Sequence, residues 1–107
     1  MSTAPNSEIL EMTHLAEYQS GAIVSRQVTK AEGGNVTLFA FDEGQELSEH
    51  TAPFDALVQV LDGEVEIKIS GKPFLLKTDE AIIMPANQPH AVKAVKRFKM
   101  LLTMIKA

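Results

Sequence analysis

The sequence predicts an all-β domain, an antiparallel sandwich or barrel, and three observations carry that prediction. Apolar and β-branched residues gather in at least eight short runs, turn residues separate the runs, and no stretch sustains the 3.6-residue period of a long amphipathic helix. With 107 residues, the chain can build one hydrophobic core and is too short for two.

In chain order, residues 8–18 mix apolar and charged positions and predict a short strand, then one helical turn capped by Thr13. His14 falls in that turn and reads as a surface residue, because no second ligand type accompanies it at metal-binding spacing. Residues 22–29 form a β-branched strand, Gly33-Gly34 a turn, and residues 35–41 the next strand. Val36, Leu38 and Ala40 share one face of that strand while Thr37, Phe39 and Phe41 share the other. Both faces are therefore covered, within a sandwich or at a subunit interface.

The central stretch, residues 44–63, sets His50 between a turn and the apolar run 57–61. Asp62-Gly63 reads as a tight hairpin, and residues 64–69 then alternate, with Val65, Ile67 and Ile69 toward a core. Ser70-Gly71-Lys72-Pro73 reads as another turn. Strands over 74–77, 81–84, 90–92 and 97–105 complete the chain, with no repeat and no linker.

Composition narrows the function classes. No cysteine is present, so disulfides, thiolate metal sites and cysteine nucleophiles fall away together. The net charge is −4, with Asp42, Glu43, Glu46 and Glu49 close together and only bases beyond Glu80. Lys93, Lys96, Arg97 and Lys99 have only Phe98 nearby to stack on a base, so no nucleic-acid partner is expected. They read instead as a solvated strand edge kept from aggregating by lysine. The first seven residues carry no basic cluster, and no apolar run approaches the ~20 residues a bilayer requires, so the expectation is a soluble, cytoplasmic protein without membrane contact.

Two histidines carry the functional argument. His50 follows a turn, and His90 follows a strand end bent by Pro85, Asn87 and Pro89. An imidazole serves equally as a proton acceptor or donor near neutral pH, a hydrogen-bonding anchor or a metal ligand. Phe39, Phe54 and Met84 are the candidates to line a ligand site beside them, although such side chains are more often plain core.

The spacing of these residues resembles the two motifs of the cupins, small jelly-roll β-barrels. Gly44, His50 and Gly63 match the first motif, and Pro85 and His90 match the second. The resemblance covers roughly residues 20–105, leaving residues 1–19 as an N-terminal arm and 20–107 as the barrel. It implies that His50 and His90 converge inside the barrel, as half of a three-histidine, one-carboxylate site for iron, manganese, nickel or zinc. Ala52 stands where the motif has its second histidine and Ala56 where it has its glutamate. Asp79 replaces the opening glycine of the second motif, Asn87 the middle glycine and Ala94 the closing asparagine. Asn87 suits its place, since asparagine tolerates the left-handed backbone. Asp55 and Gln59 should point away from the interior unless a bulge at Pro53-Phe54 reverses their parity.

The expected function is binding of a small molecule in the barrel with His50 and His90 as its polar groups. The alternatives are a metal-dependent dioxygenase or isomerase, with His50 and His90 as metal ligands, and a sensor or partner-binding module. A homodimer is expected from the doubly apolar strand Leu57 to Leu61.

Overall fold

The computed structural model describes residues 3–106. Nine strands form: β1 (Ile23–Ala31), β2 (Gly34–Phe41), β3 (Glu46–His50), β4 (Asp55–Asp62), β5 (Glu64–Ile69), β6 (Lys72–Lys77), β7 (Ala81–Met84), β8 (His90–Ala94) and β9 (Phe98–Ile105). They build two antiparallel sheets packed as a jelly roll, a five-stranded sheet A in the order β1-β2-β9-β4-β7 and a four-stranded sheet B in the order β3-β8-β5-β6. The all-β expectation holds, and Val65 and Ile67 are fully buried as the alternation of β5 requires.

Several local expectations change. Residues 8–18 contain no strand; a single 3-10 turn spans Met12–His14, with Glu11 rather than Thr13 at its N-cap position. Lys72 and Pro73 belong to β6, and only Ser70-Gly71 turns, with positive φ at both residues. Pro73 is tolerated because β6 is an edge strand, where a missing N–H leaves no neighbour unpaired.

Asp62-Gly63 is not a hairpin. β4 pairs with β7 and β9, whereas β5 pairs with β6 and β8, so Gly63 is the corner at which the chain leaves sheet A for sheet B. Its φ is 84°, and a Cβ there would lie 1.8 Å from the Arg97 carbonyl oxygen, so the chain turns directly over the backbone of its neighbour. Only glycine fits such an approach.

The basic run near the end of the chain is also not a strand edge, because β9 lies between β2 and β4 in the middle of sheet A. Lys99 is only 5% exposed. Its ammonium donates to the Thr13 carbonyl and sits 4.9 Å from the centre of the Tyr18 ring, so both a hydrogen bond and a cation–π contact offset its burial.

The N-terminal segment explains the doubly apolar β2. Phe39 and Phe41 face the main core, while Leu38 and Ala40 form a second cluster with Leu15, Ala16 and Tyr18 on the outer face of sheet A. The covering layer is thus the chain's own arm. Tyr18 donates its hydroxyl to Asp62 at 2.5 Å, and burial followed by that carboxylate pushes the phenol well above its ordinary value. Asp42 ties the end of the arm down, accepting from the Gly21 N–H at 2.7 Å and from Arg97 Nε at 2.8 Å. The Gly21 N–H first, then the Arg97 and Glu43 donors, hold the Asp42 carboxyl at about 2, below its ordinary 3.8.

Candidate functional site

The histidines reach their positions through a break in strand regularity. Leu47 opposes Val92 and His50 opposes His90, so three steps on β3 match two steps on β8. Ser48 and Glu49 together face Ala91, which is a β-bulge. In a regular strand Leu47 and His50, three apart, would face opposite sides. The bulge turns His50 inward, where Leu47 already packs against the core, and so places it against His90.

The pair is tight. The Nε2 atoms lie 3.1 Å apart, and the rings meet edge-on with centroids 4.3 Å apart. His50 Nδ1 is 2.8 Å from the Ser48 carbonyl oxygen, and His90 Nδ1 is 3.2 Å from that of Gln88. Carbonyls only accept, so each contact calls for a proton on Nδ1. The shorter contact fixes His50 as the Nδ1–H tautomer with a lone pair on Nε2. His90 then either gives up its longer contact and donates Nε2–H to His50, or keeps Nδ1–H and presents a second lone pair. The second arrangement creates a two-acceptor site for a ligand's donor or for a cation. His50 is exposed and His90 is 6% exposed, so the pair sits at the mouth with one ring on each side of the boundary. Burial first, and then the neighbouring His50, push His90 below its ordinary 6.5, partly opposed by the Gln88 carbonyl.

The loop before His90 and the turn before β7 each carry a residue that stands at a glycine position of the motif. Asn87 has φ 64° and Asp79 φ 75°, so both adopt the left-handed backbone with the short polar side chains that tolerate it. Asn87 N–H donates to the Ala52 carbonyl at 2.8 Å, tying this loop to the one after His50, and Ser70 N–H donates to the Pro89 carbonyl at 2.8 Å, tying it to the turn after β5.

Of the other candidates, Met84 is buried in the main core and Phe39 packs against it. Phe54 is half-buried, with Lys106 Nζ 5.7 Å from its ring centre. Ala56 is buried and Ala52 half-buried, and neither offers a donor atom. No bulge forms at Pro53-Phe54: Asp55 and Gln59 are exposed, and Asp55 accepts from the Ala86 N–H at 2.9 Å instead of entering the barrel.

The donor set limits the metal that could be held. Two imidazoles at Zn–N distances of about 2.0–2.1 Å on one ion would lie about 2.9–3.4 Å apart, which the pair satisfies. The number of donors falls short, because among the described residues no group of three or more His, Cys, Asp or Glu side chains is placed to hold an ion. The residues present do not fit a resident metal of the implied four-ligand type.

Two concavities include neither histidine in their lining. One of about 280 Å³ runs along the outer face of sheet B beside Glu46, Ser48, Glu66, Lys68 and Lys93. The other, about 270 Å³, lies at the end of β1, β2 and β9, beside Gly34, Asn35, Val36, Thr103, Met104 and Ile105. Sequence reasoning also missed the polar residues on the inward face of β1 and β2. Gln27 opposes Thr37, and Lys30 opposes Asn35, after a bulge at Val28 that resets the register. Asn35 shares parity with Phe39 and Phe41, and that parity was the available signal.

The chain matches the cupin domain family model over residues 37–106, which takes in both histidines. A conserved Streptococcus pyogenes protein of unknown function is 34% identical, with a TM-score of 0.91 and coverage of 100% of this chain and 96% of that one. A cupin 2 conserved barrel domain protein from Leptotrichia buccalis is 43% identical with a TM-score of 0.88, covering 91% of this chain and 47% of that one. The polyketide synthase CurC of Streptomyces cyaneus is 29% identical over 66 residues, 61% of this chain; the chain thus spans 43% of that protein. No helix among the described residues is long and apolar enough to cross a membrane. The paired histidines, the corner glycine, the jelly-roll sheets and the family match agree on one conclusion: the chain belongs to the cupin family.

Proposed function

We propose that the chain binds a small, largely apolar molecule bearing a hydroxyl or similar donor, held at the barrel mouth by Nε2 of His50 and His90. The observation that carries this reading is the 3.1 Å separation of two Nε2 atoms whose Nδ1 partners are backbone carbonyls. On the two strands that carry the pair, Leu47 and Val92 join the apolar core cluster, so a ligand's apolar body would meet matching surface while its donor finds an acceptor. The likeness to a polyketide synthase supports the same class, since polyketides commonly carry phenolic or enolic hydroxyls on an apolar frame.

A metal-dependent dioxygenase or isomerase is the second reading, and the spacing of the Nε2 atoms favours it. It requires iron, manganese, nickel or zinc with the remaining donors brought by the bound molecule.

Titration with 4-hydroxybiphenyl, followed by thermal unfolding and calorimetry, tests the first reading. Saturating probe should raise Tm, by an amount set by about 2.7 kcal/mol at a hundredfold excess over Kd. His50→Ala and His90→Ala should abolish the rise, and 4-methoxybiphenyl, which lacks the donor, should give none. Equal binding of the ether, or unaltered binding by both variants, sinks the proposal. Metal content of protein purified without chelator decides the second reading.

We also propose a contact between two copies through the uncovered part of the outer face of sheet A. Ile83 and Ile105 are 61% and 58% exposed there, and the glycine-floored concavity beside Ile105 continues the apolar surface. Light scattering should show a dimer that Ile83→Lys with Ile105→Glu converts to monomer; a wild-type monomer at micromolar concentration refutes it.

A further inference from the structure

Asn35 Oδ1 is buried and has no hydrogen-bond partner among the described residues. Its place in the fold gives that atom a meaning. Across sheet A, Asn35 opposes Met104, Met104 opposes Ala56, and Ala56 opposes Met84, a row whose side chains share the inward face. The row ends on β4 and β7, the strands that the two histidine-bearing loops join. Asn35 therefore stands at the histidine end of the barrel, on the sheet opposite His90. The inward positions beside it are Gln27 and Thr37, which oppose one another, whereas further along β2 they are Phe39 and Phe41.

An unpartnered buried amide oxygen lowers the stability of the free protein, because its hydration is lost without replacement. An apolar side chain of similar size would serve the core better. We infer that Asn35 is a specificity-determining residue of the ligand site proposed above, the second polar pole of a mouth whose first pole is the His50–His90 pair. The inference rests on that reading and narrows its ligand class to elongated molecules with polar groups at both ends and an apolar middle. The terminal torsion of asparagine is soft, so the amide turns to accept or donate as the ligand's far group requires.

The test compares 4-hydroxybiphenyl with 4,4′-dihydroxybiphenyl by calorimetry on wild type, Asn35→Leu and His50→Ala. Wild type should favour the diol by about tenfold, well beyond the roughly twofold that two equivalent hydroxyls give by statistics. Asn35→Leu should retain the mono-phenol, lose the preference for the diol, and unfold at higher temperature without ligand. His50→Ala should weaken both probes alike. A preference that survives in Asn35→Leu, or a wild-type preference no larger than statistical, overturns the role of Asn35 and leaves the histidine reading standing. A wild type that binds neither probe overturns both. Asn35→Thr carries the same comparison if the leucine variant does not fold.

Discussion

The two ends of the barrel solve opposite problems. At the end away from the histidines, Phe41 and Phe98 stack with ring centroids 4.6 Å apart, and Val65, Ala94 and Val60 close around them with almost no exposure. Each of these side chains packs against another apolar group. At the histidine end, Ile69, Leu102 and Met104 are only half-buried, two ring nitrogens face each other, and an amide oxygen lacks a partner. The lesson is a division of labour: one end contributes the packing that holds the sheets together, which allows the other to keep polar groups incompletely satisfied.

The sharpest way to break that comparison is to damage the closed end. Gly63→Ala drives a Cβ into the Arg97 carbonyl, backbone against backbone, and should leave little folded protein on size exclusion and circular dichroism. Phe98→Ala should lose about 3–5 kcal/mol in urea unfolding, while His50→Ala, at an exposed ring, should stay within about 1 kcal/mol of wild type. Comparable losses for Phe98→Ala and His50→Ala would erase the distinction between the ends.

Acidity provides the next test, and the sign follows from His90. Its folded pKa lies below the ordinary 6.5, so the unfolded chain takes up this proton first. Stability should accordingly fall as pH drops below about 6.5, by at most about 1.4 kcal/mol per pH unit from this one group, and His90→Gln should flatten that slope. A smaller effect belongs to a separate window. Asp42 is held at about 2 against an ordinary 3.8, so its contribution is complete above the higher value and disappears as pH falls toward the lower. Asp42→Asn should remove that acid limb without altering the slope near neutrality. Urea midpoints at one-unit pH steps measure both.

The strands themselves were legible because alternation and turn residues are local. What lies beyond local pattern was not. Asp62-Gly63 gives the same signal whether the next strand returns beside β4 or departs to another sheet, and only long-range pairing distinguishes them. Lys99 looked solvated because its neighbours in sequence are charged, yet its surroundings are Thr13 and Tyr18, far away in the chain. The convergence of His50 and His90 was readable from motif spacing. The bulge at Ser48-Glu49 that aims His50 was not, since neither residue carries the glycine or proline that usually marks such a site. Asn87 was the opposite case, a departure from motif whose left-handed backbone followed from the chemistry of asparagine.

The arm over sheet A also sets an order of events during synthesis. Its landing place consists of Leu38 and Ala40 on β2 together with Leu101 and Lys99 on β9, the final strand. β9 is itself the bridge between β2 and β4, so sheet A remains in two halves until β9 is available. The arm thus awaits a strand made well after it, and contacts of such sequence separation form slowly. Closure of the arm, reported by Tyr18 as its ring reaches Lys99, should therefore be the final and slowest phase of refolding.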